Sequence, residues 1–306
     1  MGKAGYPGLV RSDKLKRYVR KGVPGPHRAG VWLAVSGAGA RLASQPEVYP
    51  ALLARPAPAV MDQITTDLPR TFPDNIYFDP THPDSLRPAL NNVLRAFAVS
   101  NPGIGYCQGL NYVAGLLLLV TRREESVYWL LVVLCENILP AYYAPGMPGL
   151  LTDVRVLARL CHTHLPRLAR HIDRLQLPWE LLCSKWFICL YCEVLPVETV
   201  LRLWDAVFYE GDKILLRAGL GLLKVHNDRL VAQPDLASMM AELKLVERGG
   251  QVLGCHAFLQ EITVRGPALP RAKLSRLRLD CGEQVQAEQR EREERRQGDG
   301  SSIIHG

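Results

Sequence analysis

Apolar residues recur along this chain at the spacing of helices that bury one face. Two segments show this most clearly, at Leu86, Leu90, Val93, Leu94 and Phe97 and at Val200, Leu203, Trp204, Val207 and Phe208. No segment shows a convincing alternation of apolar and polar residues, which is typical of a half-buried strand. The 306 residues, 48% of them hydrophobic, suffice for a substantial core in one large domain or two subdomains. The pattern predicts an all-α protein.

Two segments depart from this pattern. Residues 36–59 are rich in Ala, Gly and Pro, and we expect a loose connector with a single short helix there. After a helical extension over residues 236–266, the chain becomes highly charged and nearly free of aromatic residues. Such a composition is typical of disorder or of a solvated single helix. We therefore predict a charged, disordered tail over residues 267–306, in which LPRAKLSRLRLD at residues 269–280 could form a short amphipathic helix.

The net charge of +7 is concentrated at the amino-terminal end of the chain. Residues 1–28 carry eight Lys or Arg side chains against one acidic residue, Asp13, whereas the rest of the chain is neutral overall. A domain that binds nucleic acid is expected to carry its basic patch within the folded body, interleaved with exposed aromatic side chains. We therefore predict no nucleic-acid partner. The basic amino-terminal arm, residues 1–20, either contacts anionic lipid or an acidic partner or is a solvated helix face.

The apolar runs are short and the cysteines lie in helical patterns. No run approaches the length of a membrane span, and the start carries neither a signal-peptide apolar region nor a myristoylation pattern. We therefore expect a cytoplasmic protein without a transmembrane segment, in peripheral contact with membranes if the basic arm binds lipid. Eight cysteines in a chain with an ample core are expected to be reduced and buried.

Two groups of residues are candidates for a metal or redox site. Cys189 and Cys192 form a CxxC pair, but no second pair stands at the spacing of a zinc ribbon. Cys161, His164 and His171 could share a helix face, but Pro166 interrupts that helix. Ordinary helix packing is the better interpretation of both groups, so we predict no metal site.

A Gly-rich turn presents a polar side chain, Gln108, directly before an apolar helix. Gly103 and Gly105 allow backbone angles that other residues avoid, and Tyr106 lies two residues before the Gln. The following helix buries one face through Val113, Leu116, Leu117 and Val120. Because a Gln side chain has no acid–base chemistry, its role would be to orient another group by hydrogen bonds. An incidental Gln in an interhelical turn is the alternative.

A second turn presents an arginine. Ile64 and Asp67 stand about one helical turn apart, and Pro69 disfavours the helical conformation for the residue before it. The helix is therefore expected to end at Leu68 and to leave Arg70 on an exposed bend. Asp67 could hold this bend in place, and an ordinary surface ion pair is the alternative.

Sequence motifs of common catalytic sites are absent. The chain contains no GxxxxGK[ST], GxGxxG after a strand, HExxH or GxSxG. An Arg and a Gln alone make a poor active site, since neither is a useful base or nucleophile at neutral pH. They are, however, the two side chains that GTP hydrolysis needs: a cation for the transferring phosphoryl group and an amide that orients the attacking water.

In the motifs around this Arg and this Gln, and in two further motifs, the chain resembles the TBC-domain Rab GTPase-activating proteins. ITTDLPR at residues 64–70 is similar to that family's IxxDxxR motif, and YCQ at residues 106–108 is similar to its YxQ motif. RKGVPGPHRAGVW at residues 20–32 resembles the first motif, and SKWFICLYCEVLPVETVLRLWDAVFYEG at residues 184–211 resembles the third. The four motifs stand in the family's order. We assign residues 21–235 to this domain on that basis.

The resemblance implies a V-shaped, all-helical domain of two subdomains that binds a GTP-bound Rab in its cleft. It implies that Arg70 is an arginine finger and Gln108 a glutamine finger, both supplied in trans. The protein would then be an activator of its partner's GTP hydrolysis and a regulator of vesicle trafficking, not an enzyme by itself. GTP and Mg²⁺ would be bound by the Rab, so the resemblance implies no cofactor for this chain.

The resemblance also implies roles for residues around the fingers. Asp67 would brace Arg70, Tyr106 would support the loop of Gln108, and Ile64 would be a further supporting residue, within the IxxDxxR motif. Residues expected to be structural or at the interface are Arg28, Trp32, Trp186, Arg202, Trp204 and Asp205. Pro69 stands where a flexible polar residue is expected and could change the reach of Arg70. A catalytically silent Rab-binding scaffold on the same fold is therefore the alternative function.

Overall fold

The computed structural model describes Leu9 and residues 11–247 and 254–302. Regular structure within these residues is entirely helical, which confirms the prediction of an all-α protein. The α-helices are α1 (Asp13–Lys21), α2 (Gly25–Ser36), α3 (Ala38–Ser44), α4 (Val48–Leu53), α5 (Met61–Asp67), α6 (Arg87–Ser100), α7 (Leu110–Thr121), α8 (Glu124–Val133), α9 (Pro148–His164), α10 (Pro166–Arg174), α11 (Trp179–Ile188), α12 (Val197–Glu210), α13 (Lys213–Val225), α14 (Asn227–Val231), α15 (Leu236–Glu247), α16 (Cys255–Gln260) and α17 (Arg271–Ser302).

Shorter helical turns connect or extend these helices. The 3-10 turns Leu68–Arg70 and Ile76–Phe78 lie between α5 and α6. The π-helical turns Leu134–Ile138 and Glu261–Arg265 extend α8 and α16. None of the described helices is both long and apolar enough to cross a membrane.

Helices α6, α7 and α8 pack against one another in the first half of the chain. Helices α2 and α3 lie against α8, and α4 and α5 lie against α6. The apolar positions that the periodicity of α6 places on one face, from Leu90 to Phe97, are buried. This group of helices therefore forms the support on which the turns after α5 and before α7 rest.

Aromatic side chains join the first half of the chain to helix α12. The ring centroid of Trp32, on α2, lies 5.9 Å from that of Trp204 and 5.1 Å from that of Phe208. All three rings are buried. Because aromatic pairs at this separation contribute beyond the area they bury, they fix α12 against α2.

The segment between residues 36 and 59 is more ordered than predicted. It forms two short helices, α3 and α4, instead of a loose connector with a single helix. Ala38 on α3 and Tyr49 and Leu52 on α4 are buried. A few apolar side chains in an Ala- and Gly-rich segment thus suffice to fix it against α6 and α8.

The amphipathic helix expected at residues 269–280 forms the first part of helix α17. The expectation of disorder or a solvated helix does not hold for the residues that follow, as far as Gln289. This helix lies along α9, and its Leu274, Cys281 and Val285 are buried. Between these apolar residues, Arg278 donates two hydrogen bonds to the carboxylate of Asp153 on α9. From Leu274 to Gln289 the helix is therefore part of the folded body, because one of its faces is apolar and its charges pair with α9.

Candidate functional site

The first polar turn of the site follows helix α5. The helix ends at Asp67 and continues as the 3-10 turn Leu68–Arg70, in which Pro69 occupies one of the first two positions. A fixed φ near −65° suits this position, so Pro69 shapes the turn. The side chain of Arg70 is 64% exposed, and its Nη1 lies 3.7 Å from Oδ1 of Asp67. Since an ion pair so exposed is weak, the guanidinium can turn toward a partner.

Asp67 connects the arginine turn to the glutamine turn. Its backbone lies at the end of α5, its side chain is largely buried, and its Oδ2 accepts a hydrogen bond of 2.7 Å from the hydroxyl of Tyr106. Burial, and next the hydrogen bond to Asp67, raise the pKa of Tyr106 well above its ordinary value. Tyr106 therefore remains a hydrogen-bond donor at physiological pH. The structure brings Asp67, Tyr106 and Arg70 together, and the bond between Tyr106 and Asp67 was not predicted from the sequence.

Gln108 lies on the second turn, immediately before α7, and its side chain is exposed. The next residue, Gly109, has a φ of +111°, which L side chains rarely adopt. A Cβ at this position would lie 3.1 Å from the carbonyl oxygen of Ile188. The Gly is thus required for both its conformation and its close approach to α11, and the turn that carries Gln108 is held against a fixed neighbour.

The buried polar residues Thr71 and Asn111 were not predicted from the sequence. Oδ1 of Asn111 accepts a hydrogen bond of 3.0 Å from the amide of Gly109, and its Nδ2 donates one of 2.9 Å to Oγ1 of Thr71. The Thr71 hydroxyl in turn donates to the carbonyl oxygen of Asp67 at 2.9 Å. A signal was present, because Asn111 is a polar residue within the first turn of an otherwise apolar helix.

Ile64 and Phe72 pack beneath the arginine turn. Ile64 is fully buried on α5. Phe72 has a φ of +47°, and its ring lies 5.7 Å from Phe78 and 5.6 Å from Tyr112, centroid to centroid. A non-glycine residue with positive φ persists only where its surroundings fix it. The backbone after Arg70 is therefore held in one conformation by its aromatic neighbours.

Tyr112 joins the arginine turn to a groove beside it. Its hydroxyl donates a hydrogen bond of 3.2 Å to the carbonyl oxygen of Arg70. Burial, and next the charge of Glu193, raise the pKa of Tyr112 to about 12. The groove has a volume of 610 Å³, and its lining consists of Arg70, Phe72, Pro73, Asp74, Asn75, Tyr112, Leu116, Leu119, Cys192, Glu193, Val197 and Val200. The side of the site next to Arg70 is thus largely apolar.

Residues of the first and third motifs form a buried network away from the surface. Asp205 accepts hydrogen bonds from the backbone amide of Val23, from Arg28 Nε and from Trp32 Nε1, at 2.8, 3.1 and 2.8 Å. Burial raises the pKa of Asp205, and these donors oppose that rise. Trp204 donates to the carbonyl oxygen of Leu190 at 3.0 Å.

The remaining two motif residues are also structural in position. Trp186 is fully buried on α11. Arg202, which is partly buried on α12, donates a hydrogen bond of 3.1 Å to the carbonyl oxygen of Arg20. The six residues expected to be structural or at the interface therefore lie in or against the packed core.

The predicted basic arm falls only partly within the described residues, since residues 1–8 and 10 lie outside them. From Asp13 onward the arm is helix α1, which packs against α12. Arg20 and Lys16 of this helix form ion pairs with Glu210, at 2.6 and 3.7 Å. Two of the basic side chains of the arm are therefore paired with an acidic residue of the folded domain. The side chains of Lys14, Arg17 and Lys21 are exposed.

The residues considered for metal or redox chemistry do not form a metal-binding cluster. Among the described residues, no three His, Cys, Asp or Glu side chains are grouped so that they could hold a metal ion. All eight cysteines are free thiols, and five of them are buried. Burial raises the pKa of the thiols of both Cys189 and Cys192.

Comparison with known proteins identifies the family. Residues 26–231 match the family model of the Rab-GTPase-TBC domain. The chain is 45% identical over 275 residues to growth hormone-regulated TBC protein 1 of Homo sapiens, and the match covers 90% of this chain and 82% of that protein.

Solved structures agree with this match. The crystal structure of the Chlamydomonas flagellar RabGAP TBC domain superposes with a TM-score of 0.74 and 34% identity, over 84% of this chain and 86% of that one. The YPT/Rab-GAP domain of Gyp1p, at 18% identity, shares the fold with a TM-score of 0.68, over 84% of this chain and 93% of that one. With a family model that matches two thirds of its length and a relative of this similarity, the chain belongs to the Rab-GTPase-TBC domain family.

Proposed function

We propose that this protein is a GTPase-activating protein for a Rab-family GTPase, to which it supplies Arg70 and Gln108 in trans. The observation that carries the proposal is the pairing of two turns. Each turn exposes one of these side chains, and buried hydrogen bonds between other side chains join the two turns. Two exposed side chains on turns held together in this way are suited to act on one bound nucleotide.

The chemistry of the two side chains fits this role. Arg70 would neutralise the charge that develops on the transferring phosphoryl group, and Gln108 would orient the attacking water. Neither needs to gain or lose a proton. GTP and Mg²⁺ would belong to the Rab, so that this chain requires no cofactor. By accelerating hydrolysis, the protein would switch its partner off and so regulate vesicle trafficking.

The apolar groove beside Arg70 would receive part of the Rab surface. Val197 at its edge is 60% exposed, whereas Leu116 within it is buried. Exposed apolar groups next to a candidate site are typical of a protein interface. Peripheral contact between the basic arm and a membrane stays a prediction. The exposed Lys14, Arg17 and Lys21 of α1 are the groups that would attract anionic lipid.

The test is single-turnover GTP hydrolysis across a panel of purified Rabs. The wild-type protein should accelerate at least one of them. Arg70→Ala should lose roughly 10³–10⁵-fold of the acceleration, the range measured for arginine fingers, and Gln108→Ala should lose most of it. Exposed residues of the same types outside the turns, Arg123 and Gln63, provide matched controls whose Ala variants should retain full activity.

Binding must be measured beside catalysis to separate the two candidate functions. The affinity for the GTP-bound Rab should change little in Arg70→Ala and Gln108→Ala, because the groove stays intact. Binding of a Rab without acceleration of any Rab would contradict the proposal and support the silent scaffold. In that case Pro69→Ala would show whether the restricted turn limits the reach of Arg70.

A further inference from the structure

We propose that Asn111 is a positioning residue that fixes the two finger-bearing loops relative to each other. We define the arginine loop as residues 67–72 and the glutamine loop as residues 105–109. The proposal rests on the proposed function, since it concerns how Arg70 and Gln108 reach one nucleotide together.

One side-chain amide is bonded to the neighbour of each finger. Asn111 is 1% exposed, and its Oδ1 accepts the hydrogen bond of Gly109, which directly follows Gln108. Its Nδ2 donates to the hydroxyl of Thr71, which directly follows Arg70. These two bonds need both an acceptor and a donor, and the Asn111 amide carries them on two separate atoms, so that one side chain can bond both loops at once.

The contacts continue from Thr71 back to the glutamine loop. The Thr71 hydroxyl donates to the carbonyl oxygen of Asp67, and the carboxylate of Asp67 accepts from Tyr106. Tyr106 and Gly109 flank Gln108, so two separate connections join the loops. The four side chains that make these bonds are all buried: Asp67, Thr71, Tyr106 and Asn111. A buried polar group without a hydrogen-bond partner destabilises the fold. The relative position of the loops is thus over-determined by hydrogen bonds that have no alternative partner in water.

The fingers themselves depend on this backbone arrangement. Both side chains are exposed, and the ion-pair contact of Arg70 with Asp67 is long, at 3.7 Å. Their starting positions are therefore set by the backbones that carry them. Displacement of a catalytic group by about 1 Å can cost roughly a hundredfold in rate. Loss of the Asn111 connection should consequently reduce the rate within the complex and leave the binding of the Rab intact.

The first test compares kcat with KM in variants of this connection. Asn111→Leu removes both hydrogen bonds with little change in volume, and Thr71→Val removes only the hydroxyl. Both should lower kcat roughly ten- to hundredfold at unchanged KM. Thr71→Ser keeps the hydroxyl and should retain most of the wild-type kcat. Asn92→Leu is the matched control, because Asn92 is a partly buried Asn that bonds Glu124 outside the two loops.

A double-mutant cycle distinguishes positioning from general destabilisation. In a Gln108→Ala background only one finger remains, so its placement relative to the other no longer matters. In that background, Asn111→Leu should lower kcat by a much smaller factor than it does in the wild-type background. An equal fold-loss in both backgrounds, or no loss in a folded Asn111→Leu variant, would overturn the proposal.

Hydrogen exchange of the unbound protein tests the connection without any Rab. Thr71→Val, a change in the arginine loop, should accelerate exchange of the Gly109 amide in the glutamine loop, and Asn111→Leu should accelerate it more. If the wild-type protein activates no Rab, the proposed function fails, and this measurement alone decides whether the loops are coupled. Unchanged exchange at Gly109 in Thr71→Val would overturn the coupling whatever the activity.

Discussion

The hydroxyl of Tyr106 lies 2.7 Å from the carboxylate of Asp67, thirty-nine residues earlier in the chain. The other oxygen of the same carboxylate faces Arg70. One buried Asp therefore joins a residue of the YxQ motif to the arginine of the IxxDxxR motif. The two motifs form one structural unit, in which the orientation of the carboxylate depends on the phenol that binds it.

Tyr106→Phe should weaken catalysis without weakening binding. The change keeps the buried ring and removes only the donor to Asp67. A hydrogen bond to a charged group is worth about 1.5–3 kcal/mol, so we expect kcat to fall at least about tenfold as Asp67 reorients. Single-turnover GTP hydrolysis by the Rab at a saturating concentration of this protein measures the fall in kcat. Tyr18→Phe, at a half-exposed position on α1, is the control. A Tyr106→Phe variant with full activity would show that Asp67 holds Arg70 unaided.

Gly109→Ala should abolish most of the acceleration, whereas Gly103→Ala should not. A non-glycine residue in a left-handed conformation costs about 1–2 kcal/mol, and the new Cβ would also meet the Ile188 carbonyl oxygen at 3.1 Å. The glutamine loop must then shift away from Ile188. Gly103 lies in the same turn region, and a Cβ there would meet nothing within 4 Å. Equal activity of the two variants would contradict the need for this backbone conformation.

The sequence predicted that Arg70 and Gln108 lie on turns, because local backbone chemistry determines where the neighbouring helices end and begin. Helix α5 ends at Asp67, one residue before the expected end, although Leu68 keeps helical backbone angles despite the Pro that follows it. Gly105 and Gly109 have positive φ in the turn before α7. The bonds between the turns could not be predicted in the same way. Thr71 and Asn111 are forty residues apart, and helical periodicity shows which face is buried but not which buried polar groups meet.

The tail shows a second limit of composition. After the amphipathic segment 269–280, its charged residues are typical of a solvated segment, yet Cys281 and Val285 are buried. Averaged composition conceals so sparse a set of buried residues. Whether the charges are solvated or paired depends on α9, whose Asp153 and Arg155 bind Arg278 and Glu288. Only the three-dimensional arrangement provides that information.

Val197→Glu should raise KM and leave kcat nearly unchanged. Val197 is 60% exposed at the edge of the groove beside Arg70, where it can pack against the Rab. Burial of a Val side chain is worth about 1.5–3 kcal/mol, so loss of this contact should weaken binding by roughly ten- to hundredfold. Leu181→Glu is a matched control, because Leu181 is also 60% exposed but lies outside the groove lining. An equal effect of both variants would argue against docking at the groove.

Arg278→Met should strongly destabilise the folded protein. Arg278 forms hydrogen bonds with Asp153 and Asp212, and Asp153 is 1% exposed. Removing the Arg leaves a buried carboxylate without its cation, which typically costs about 3–5 kcal/mol. Urea unfolding measures this loss. Arg276→Met, at an exposed position on the same helix, should change the free energy of unfolding by less than about 0.5 kcal/mol. Equal stability of both variants would mean that α17 does not depend on this connection.

Glu210→Gln should change how stability depends on pH. Burial alone would raise the pKa of Glu210, but the hydrogen bond and charge of Arg20, together with Lys213 and Lys16, outweigh it and hold this pKa below its ordinary value. A lowered folded-state pKa means that the ion pairs stabilise the protein above the unfolded pKa, and that this contribution is lost as pH falls through the folded value.

The wild-type protein should therefore be more stable than Glu210→Gln near neutral pH, by roughly 1.5–3 kcal/mol if the charged hydrogen bonds dominate. The difference should shrink progressively in acid, because protonation of Glu210 removes from the wild type the charge that the variant already lacks. Urea unfolding across this pH range measures it, with Glu47→Gln at an exposed position as the control. A difference that stays constant from neutral pH into acid would contradict the assignment, since only a group that titrates differently in the folded and unfolded states can make stability depend on pH.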